Sequence, residues 1–267
     1  MVNAASDTAT EQPMPNRMTI ELGGVAFPDW SAVTSERSRR ALDAIFEIEN
    51  IAERWAGLDA TEDRLRRAVL AGYLETGRAP SLAELAEATG IEDPRDGLAR
   101  LAARDLVVLG ADGATVTGAY PFTNRDSGHQ VHLGDLAINA MCAIDALGVG
   151  ALSGHDVTIH SACAECGAAV RIATAGRGTA LQLVSPKGAV VWLGVRYEGG
   201  CAADSLCRSI AFFCSDRHLD DWRAANHPGL DGFRLTMDEA LETGRALFAP
   251  MLARTSDKES PNKETPP

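Results

Sequence analysis

Apolar residues recur along this chain with two different periods, and the change falls near residue 120. Ahead of it the spacing is helical. Ala41, Ile45, Ile48, Ile51 and Trp55 lie on one face and predict a single amphipathic helix within residues 35–58. The segment EDRLRRAVLAGYLETG predicts a helix that stops at Gly77. Ser81 then caps a second helix, SLAELAEATG, with Glu84 at the capping-box position. A third helix follows the Asp93 and Pro94 pair, from about Arg95 to Arg104, with Leu98 and Leu101 inward. LVVLGADGATVTG reads as two short strands around a turn at Ala111, Asp112 and Gly113. Three helices and a hairpin over residues 62–118 make a winged-helix-like module.

Beyond residue 120 the pattern alternates. A connector, PFTNRDSG, leads to residues 129–133 and then to a helix expected over 135–147. DVTIHSA, AAVRIATA, TALQLVS and AVVWLGVRY read as strands of a mostly antiparallel sheet, separated by Gly, Pro and Ser turns. Residues 205–214 are apolar without a period that decides between helix and strand, and 219–228 and 237–249 read as helices. The fold class is therefore α+β, a helical winged-helix-like module followed by an antiparallel sheet with packed helices. Five stretches follow: a polar tail at 1–17 expected to be disordered, an extension at 18–61, the module at 62–118, an α+β domain at 119–253, and a second disordered tail at 254–267.

Charge and composition narrow the partners. Apolar residues make up 45% of the 267, with no run of the roughly 18 to 20 that a membrane span needs. The start, MVNAASDTATEQPMPNR, lacks the basic and apolar stretches of a secretory signal, so a cytoplasmic protein with no membrane partner is expected. The formal charge is −12 and most cations are arginines scattered among acids. Such a surface disfavours nucleic acid. The candidate recognition segment of the module, EDPRDGLARLAARD, carries four acids against three arginines, so a structural or lid role is the better reading.

All six cysteines, at 142, 163, 166, 201, 207 and 214, fall in the C-terminal half. In a reducing compartment they point to thiol or metal chemistry, although free cysteines also serve as small buried hydrophobes. Cys142 and Asp145, three apart on the expected helix, can face one cleft. Cys163 and Cys166 form a CxxCG half-site of the zinc-knuckle type. No second CxxC accompanies it, because Cys201, Cys207 and Cys214 are six and seven apart, which counts against a structural zinc. Ligands from Cys163, Cys166 and two later cysteines remain a second-site option. No HxH or HExxH spacing occurs. His129, His132 and His160 read as surface or packing residues, His218 and His227 as helix-end residues, and Trp192, Phe212 and Phe213 as core.

Over residues 62–250 the sequence resembles the bacterial alkylmercury lyases. NAMCAIDALGVGAL resembles the family's first catalytic segment, SLCRSIAFFCS the second, and VTIHSACAECGAAV the stretch between them. DWRAANHPGLDGFRLTMDEALETG is similar to its C-terminal pattern. The resemblance implies that Cys142 and Cys207 bind mercury while Asp145 relays a proton and helps hold the product Hg(II), with no cofactor required. It implies an organomercurial substrate, and small cytosolic thiols or a mercuric reductase as acceptor of the ion. It also gives the Cys163 position a mainly structural role. Met141 and Leu206 depart from the family's aromatic neighbours, Arg208 replaces a second cysteine, and Cys166 and the N-terminal extension are additional. Those departures bear on substrate range.

The competing readings are a metal-responsive regulator built on the winged-helix module, a non-catalytic soft-metal binder stabilised by zinc, and a thioredoxin-like redox protein. The acidic recognition segment opposes the first. The third lacks the βα context that a CxxC redox motif needs.

Overall fold

The computed structural model describes residues 18–226 and 229–253; the two tails and His227 lie outside the described residues. The chain opens with a small hairpin, β1 (Ile20–Leu22) and β2 (Val25–Phe27), followed by α1 (Glu36–Glu47) and α2 (Ile51–Trp55). The single helix expected over 35–58 is thus two. A short 3-10 turn separates them, and Asn50 there takes a left-handed φ of 54°, a conformation asparagine tolerates better than most residues.

Three helices come next: α3 (Ala60–Thr76), α4 (Leu82–Thr89) and α5 (Arg95–Ala103). Their bounds follow the capping chemistry in the sequence. Asp59 and Glu62 close a capping box on α3, Ser81 and Glu84 close one on α4, and Gly77 and Gly90 end the two helices in the left-handed region. Leu98 and Leu101 are fully buried, as their spacing predicts. The hairpin β3 (Val108–Leu109) and β4 (Val116–Ala119) turns where Asp112 accepts from the Ala114 and Thr115 amides and Gly113 adopts φ 67°.

That hairpin is the edge of a larger sheet. With β5 (Phe122–Thr123), β6 (Gln130–Leu133), β7 (Leu136–Ala140), β8 (Thr158–Ala162), β9 (Ala169–Ala175) and β10 (Ala180–Ser185) it forms eight strands in the order β10-β9-β8-β6-β7-β5-β4-β3. A second sheet, ordered β12-β11-β13, contains β11 (Val190–Gly194), β12 (Ile210–Phe213) and β13 (Gly232–Thr236). Every pairing in both sheets is antiparallel.

The helix expected over 135–147 is a correction. Gly134 and Asp135 form a two-residue hairpin loop, with Leu133 opposite Leu136, so 136–140 continue as β7. Only at Cys142 does the chain turn into α6 (Ala143–Ser153). Residues 205–214 resolve into a 3-10 turn at Cys207–Ser209 and β12. The last helices are α7 (Asp216–Asn226), starting three residues before the expected 219, and α8 (Met237–Phe248).

Helix α6 is the hub. It touches β6 and β7 of the large sheet, β11 and β12 of the small one, and runs against α8. All of its residues are buried except Ala151 and Ser153, which are partly so. Strand β11 is buried along its whole length, with α6, α7 and α8 packed against it, and Trp192, Phe212 and Phe213 lie in this core as expected. The N-terminal extension is bound to α8: Ser35 donates to Glu239, and the Ser35 amide to Glu242 at 3.0 Å. Among the described residues no helix is long and apolar enough to cross a membrane.

The α6–α8 crossing needs two glycines. A Cβ on Gly244 would sit 2.8 Å from the Ile144 carbonyl and 2.9 Å from the Gly148 nitrogen; one on Gly148 would meet Phe248 and the Gly244 carbonyl. Because the obstacles at Gly244 are backbone, they cannot rotate away. Gly244→Ala is expected to lower stability by about 1–3 kcal/mol despite alanine's higher helix propensity. Equilibrium urea unfolding of the variant checks this, and an unchanged midpoint would show that the helices separate without cost.

Candidate active site

The site begins with the capping of α6. Cys142 is the N-cap: its backbone is extended, and its Sγ accepts the Asp145 amide at 3.4 Å. A sulfur here occupies the place usually taken by a serine or aspartate oxygen. The i, i+3 relation read from sequence therefore arises from an N-cap and its N3 residue rather than from two helical residues. Because the cap fixes both, Cys142 and Asp145 leave the helix start side by side.

Cys207 arrives from elsewhere, at the start of the 3-10 turn that feeds β12. Its thiol donates to Asp145 Oδ2 at 3.8 Å, and the donor atoms of Cys142, Asp145 and Cys207 all lie within 4.8 Å of one another. The three are 2%, 4% and 7% exposed, so water barely reaches them. Sixty-five residues separate the two thiols in sequence, yet the fold brings them to one point.

The Cys207 segment is held by a residue that sequence reading passed over. Asp105, in a left-handed conformation (φ 58°) after α5, accepts the Ala202 amide at 2.9 Å and the Tyr120 hydroxyl at 3.4 Å. It also pairs with Arg54 of α2 at 3.7 Å. The acidic character of the segment around it, which argues against DNA binding, conceals one carboxylate turned inward.

Asp105, Tyr120 and the three site residues line a cavity of about 60 Å³, otherwise walled by apolar side chains. Phe27, Ile45, Phe46 and Trp55 come from the N-terminal extension. Their place in the cavity wall had no signal in sequence, because the extension's periodicity shows only that it has an apolar face. A second, polar cleft of about 320 Å³ reaches Cys207 from another side, lined by Arg125, His129, Met141 and Arg208 among others. His129 is packing, as expected: its ring lies 5.6 Å from that of Phe212, and burial pulls its pKa down to about 4. The His132 and His160 rings lie against each other on the sheet, centroids 4.6 Å apart and tilted by 50°.

Burial dominates the electrostatics of the cluster. It pushes the Asp145 carboxyl up to about 7, against hydrogen bonds from both thiols that favour the carboxylate. The Cys142 thiol is raised by burial and by the adjacent carboxylate. Cys207 is raised furthest, first by its hydrogen bond with Cys142 and then by burial. Near neutral pH both thiols therefore keep their protons and the carboxyl, which would be ionised in water, retains a share of one, a reservoir rather than a set of free anions.

Cys163, Cys166, Cys214 and His218 gather at a separate place, with donor atoms also within 4.8 Å of one another. Cys163 and Cys166 are the half-site seen in sequence. Cys214 and His218 supply what looked absent, and their C-x3-H spacing across the start of α7 was the overlooked signal. His218 turns its Nδ1 to the Cys214 sulfur, 2.8 Å away. Cys201 joins neither group; its sulfur lies 3.9 Å from the Tyr120 hydroxyl.

Two buried thiols and a carboxyl around an apolar cavity, on an α+β frame, offer donor atoms of the type a soft metal prefers beside a group able to carry a proton. Residues 122–249 match the family model described as alkylmercury lyase. The chain is 29% identical over 212 residues to an alkylmercury lyase of Staphylococcus epidermidis, covering 76% of this chain and 93% of that one. It is 32% identical over 108 residues to an alkylmercury lyase of Bacillus cereus, covering 40% of this chain and 47% of the relative. Among solved structures, the mercury-bound form of MerB2 superposes with a TM-score of 0.64 at 24% identity, over 82% of this chain and all of that one, a likeness of fold. The chain is thus similar to the alkylmercury lyases over its C-terminal half and across most of the length of the Staphylococcus relative.

The raised pKa of Asp145 gives a stability signature. Its folded value, about 7, stands above the ordinary 3.8, so the native state binds the proton more tightly than the unfolded chain. The stability linked to that proton is fully present below about pH 4 and is lost as pH rises through about 7. Asp145→Asn removes the titration, and is expected to gain on the wild type by up to about 4 kcal/mol above pH 7 and by little below pH 4. Thermal melts of both proteins across pH 4–8 check this. A gap that does not widen with pH would overturn it.

Proposed function

We propose that this chain is an organomercurial lyase that cleaves the carbon–mercury bond of alkyl and aryl mercurials by protonolysis, yielding a hydrocarbon and Hg(II) in mercury detoxification. The observation that carries the reading is the convergence of Cys142, Asp145 and Cys207 in one apolar cavity.

The chemistry follows from softness and protons. The organomercurial arrives as a mercury thiolate of a small thiol, and one buried sulfur displaces that thiol, which leaves as R′SH with the proton of the attacking group. Attack of the second sulfur raises the electron density at mercury and weakens its bond to carbon. Both electrons of that bond leave with carbon, and the remaining thiol proton, relayed by Asp145, completes the hydrocarbon. Mercury stays as a bis-thiolate of Cys142 and Cys207. No electron carrier or resident cofactor is consumed. The raised pKa values support this order of events, because the protons the reaction needs are already in the cavity. The aromatic wall from the extension, with Phe27 and Trp55, suits the organic group of the substrate.

The other assignments follow the same reading. Residues 119–253 act as the catalytic α+β domain, and the winged-helix-like module at 62–118 serves as scaffold, its Asp105 holding the Cys207 segment rather than any helix reading DNA. The polar cleft at Cys207, with Arg125 and Arg208 at its rim, suits an incoming acidic small thiol or a mercuric reductase as acceptor of Hg(II). Six free cysteines suit a reducing, cytoplasmic compartment.

Reduced protein incubated with phenylmercuric acetate and excess thiol is expected to release benzene, measured by gas chromatography. Cys142→Ala and Cys207→Ala should abolish release, and Asp145→Asn should slow it about 10²- to 10⁴-fold. Folded, reduced protein that yields no hydrocarbon from several alkyl and aryl mercurials would overturn the reading.

A further inference from the structure

The second group of sulfurs lies where the two sheets meet. Cys163 follows β8 and Cys166 sits in the turn to β9, both on the large sheet; Cys214 follows β12 and His218 lies in the first turn of α7, both on the small one. The turn is built as a knuckle. The Gly167 amide donates to the Cys163 carbonyl at 2.9 Å, Gly167 takes φ 71°, and the Cys163 amide donates to Ala168 at 2.8 Å. Backbone N–H groups of Cys166, Cys214 and Glu165 point at the Cys163 sulfur.

Distances across the cluster are those of a ligand shell. Cys166 Sγ lies 3.7 Å from Cys214 Sγ, and Cys163 Sγ 3.9 Å from His218 Nδ1. Ligands at about 2.3 Å (sulfur) and 2.0 Å (nitrogen) from a tetrahedral zinc stand about 3.8 and 3.5 Å apart. The Cys214–His218 approach of 2.8 Å is closer than that and would open slightly around an ion. Cys163 is buried, Cys214 and His218 are half-buried and Cys166 is exposed, so an ion can enter from solvent yet be held against the core.

We propose that Cys163, Cys166, Cys214 and His218 bind one zinc ion in a closed, structural Cys3His site. Four protein ligands leave no position for water or substrate, which separates this centre from the three-residue site at Cys142. Zinc is favoured because three thiolates and an imidazole at tetrahedral spacing match its preference for sulfur and nitrogen donors. As zinc–sulfur bonds form, the three thiol protons pass to solvent. The ion clips the β8–β9 turn to the end of β12, where a backbone bond from Ala164 to Phe212 at 3.0 Å already joins the sheets. Cys207 lies just before the other end of β12, so the clip fixes the strand on which the distant thiol depends.

The proposal is independent of the lyase reading, since metal content is read with no mercurial present. Full-length protein, purified reduced from cells grown without mercury, is expected to carry one zinc per chain by elemental mass spectrometry. Cys142→Ala/Cys207→Ala protein should keep it. Cys166→Ser and His218→Ala should lose it and melt at lower temperature, while His218→Cys, which restores a fourth ligand, should retain it. Cobalt(II) alone, added to metal-stripped wild type, should give the intense visible bands and sulfur charge-transfer absorption of a tetrahedral thiolate site. Wild type that binds no zinc after reduction and reconstitution, cobalt with only a pale octahedral spectrum, a Cys166–Cys214 disulfide that persists in chain purified under reductant, or zinc that leaves with Cys142 and Cys207 instead would each overturn it.

Discussion

The architecture turns on the close crossing of α6 and α8, where Gly148 and Gly244 bring two backbones into contact. That contact buries α6 between two sheets and a second helix, and a helix so enclosed has little freedom to tilt or slide. Its N-terminus is therefore a fixed point, and the residue that caps it is Cys142. The position of one reactive sulfur is thus set by glycines that carry no chemistry. Helix α8 carries the same constraint outward, since the N-terminal extension is tied to Glu239 and Glu242 on it and so closes the cavity from above the helix pair.

Enclosure has an electrostatic cost at the cap. Two thiols and a carboxyl share a site from which water is nearly excluded: burial raises each group's hold on its proton and the carboxylate raises both thiols further, while the thiols' hydrogen bonds pull the carboxyl the other way. Ordinary folding would exchange one of the three for an apolar side chain of similar size. Their presence together fits the proposed chemistry, and it carries a stability deficit above neutral pH.

Much of the frame was legible because its signals are local. Capping boxes at Ser81 and Glu84, the glycine stops at 77 and 90, and alternation through 169–175 need only a few neighbouring residues to act. The failure at 135–147 was also local: the Gly134 and Asp135 turn was outweighed by an apolar run that suits helix and buried strand equally. The site was legible in part. Cys142 and Asp145 are neighbours in the chain, but the arrival of Cys207 came only from family resemblance, and Asp105 and Phe27 gave no sign because their partners lie far off in sequence. Cys214 was one of the later cysteines open as a ligand, but His218 read as a helix-end residue because its approach to Cys163 depends on the packing of two sheets.

Cys207 lines both the apolar cavity and the polar cleft. The residue thus stands between an oily compartment and a polar one. Fragments of opposite polarity formed at such a boundary partition without a gate: the greasy one is retained by the aromatic wall, and the ionic one faces hydrated groups. Under the proposed reaction, solvation of the two fragments itself favours their separation.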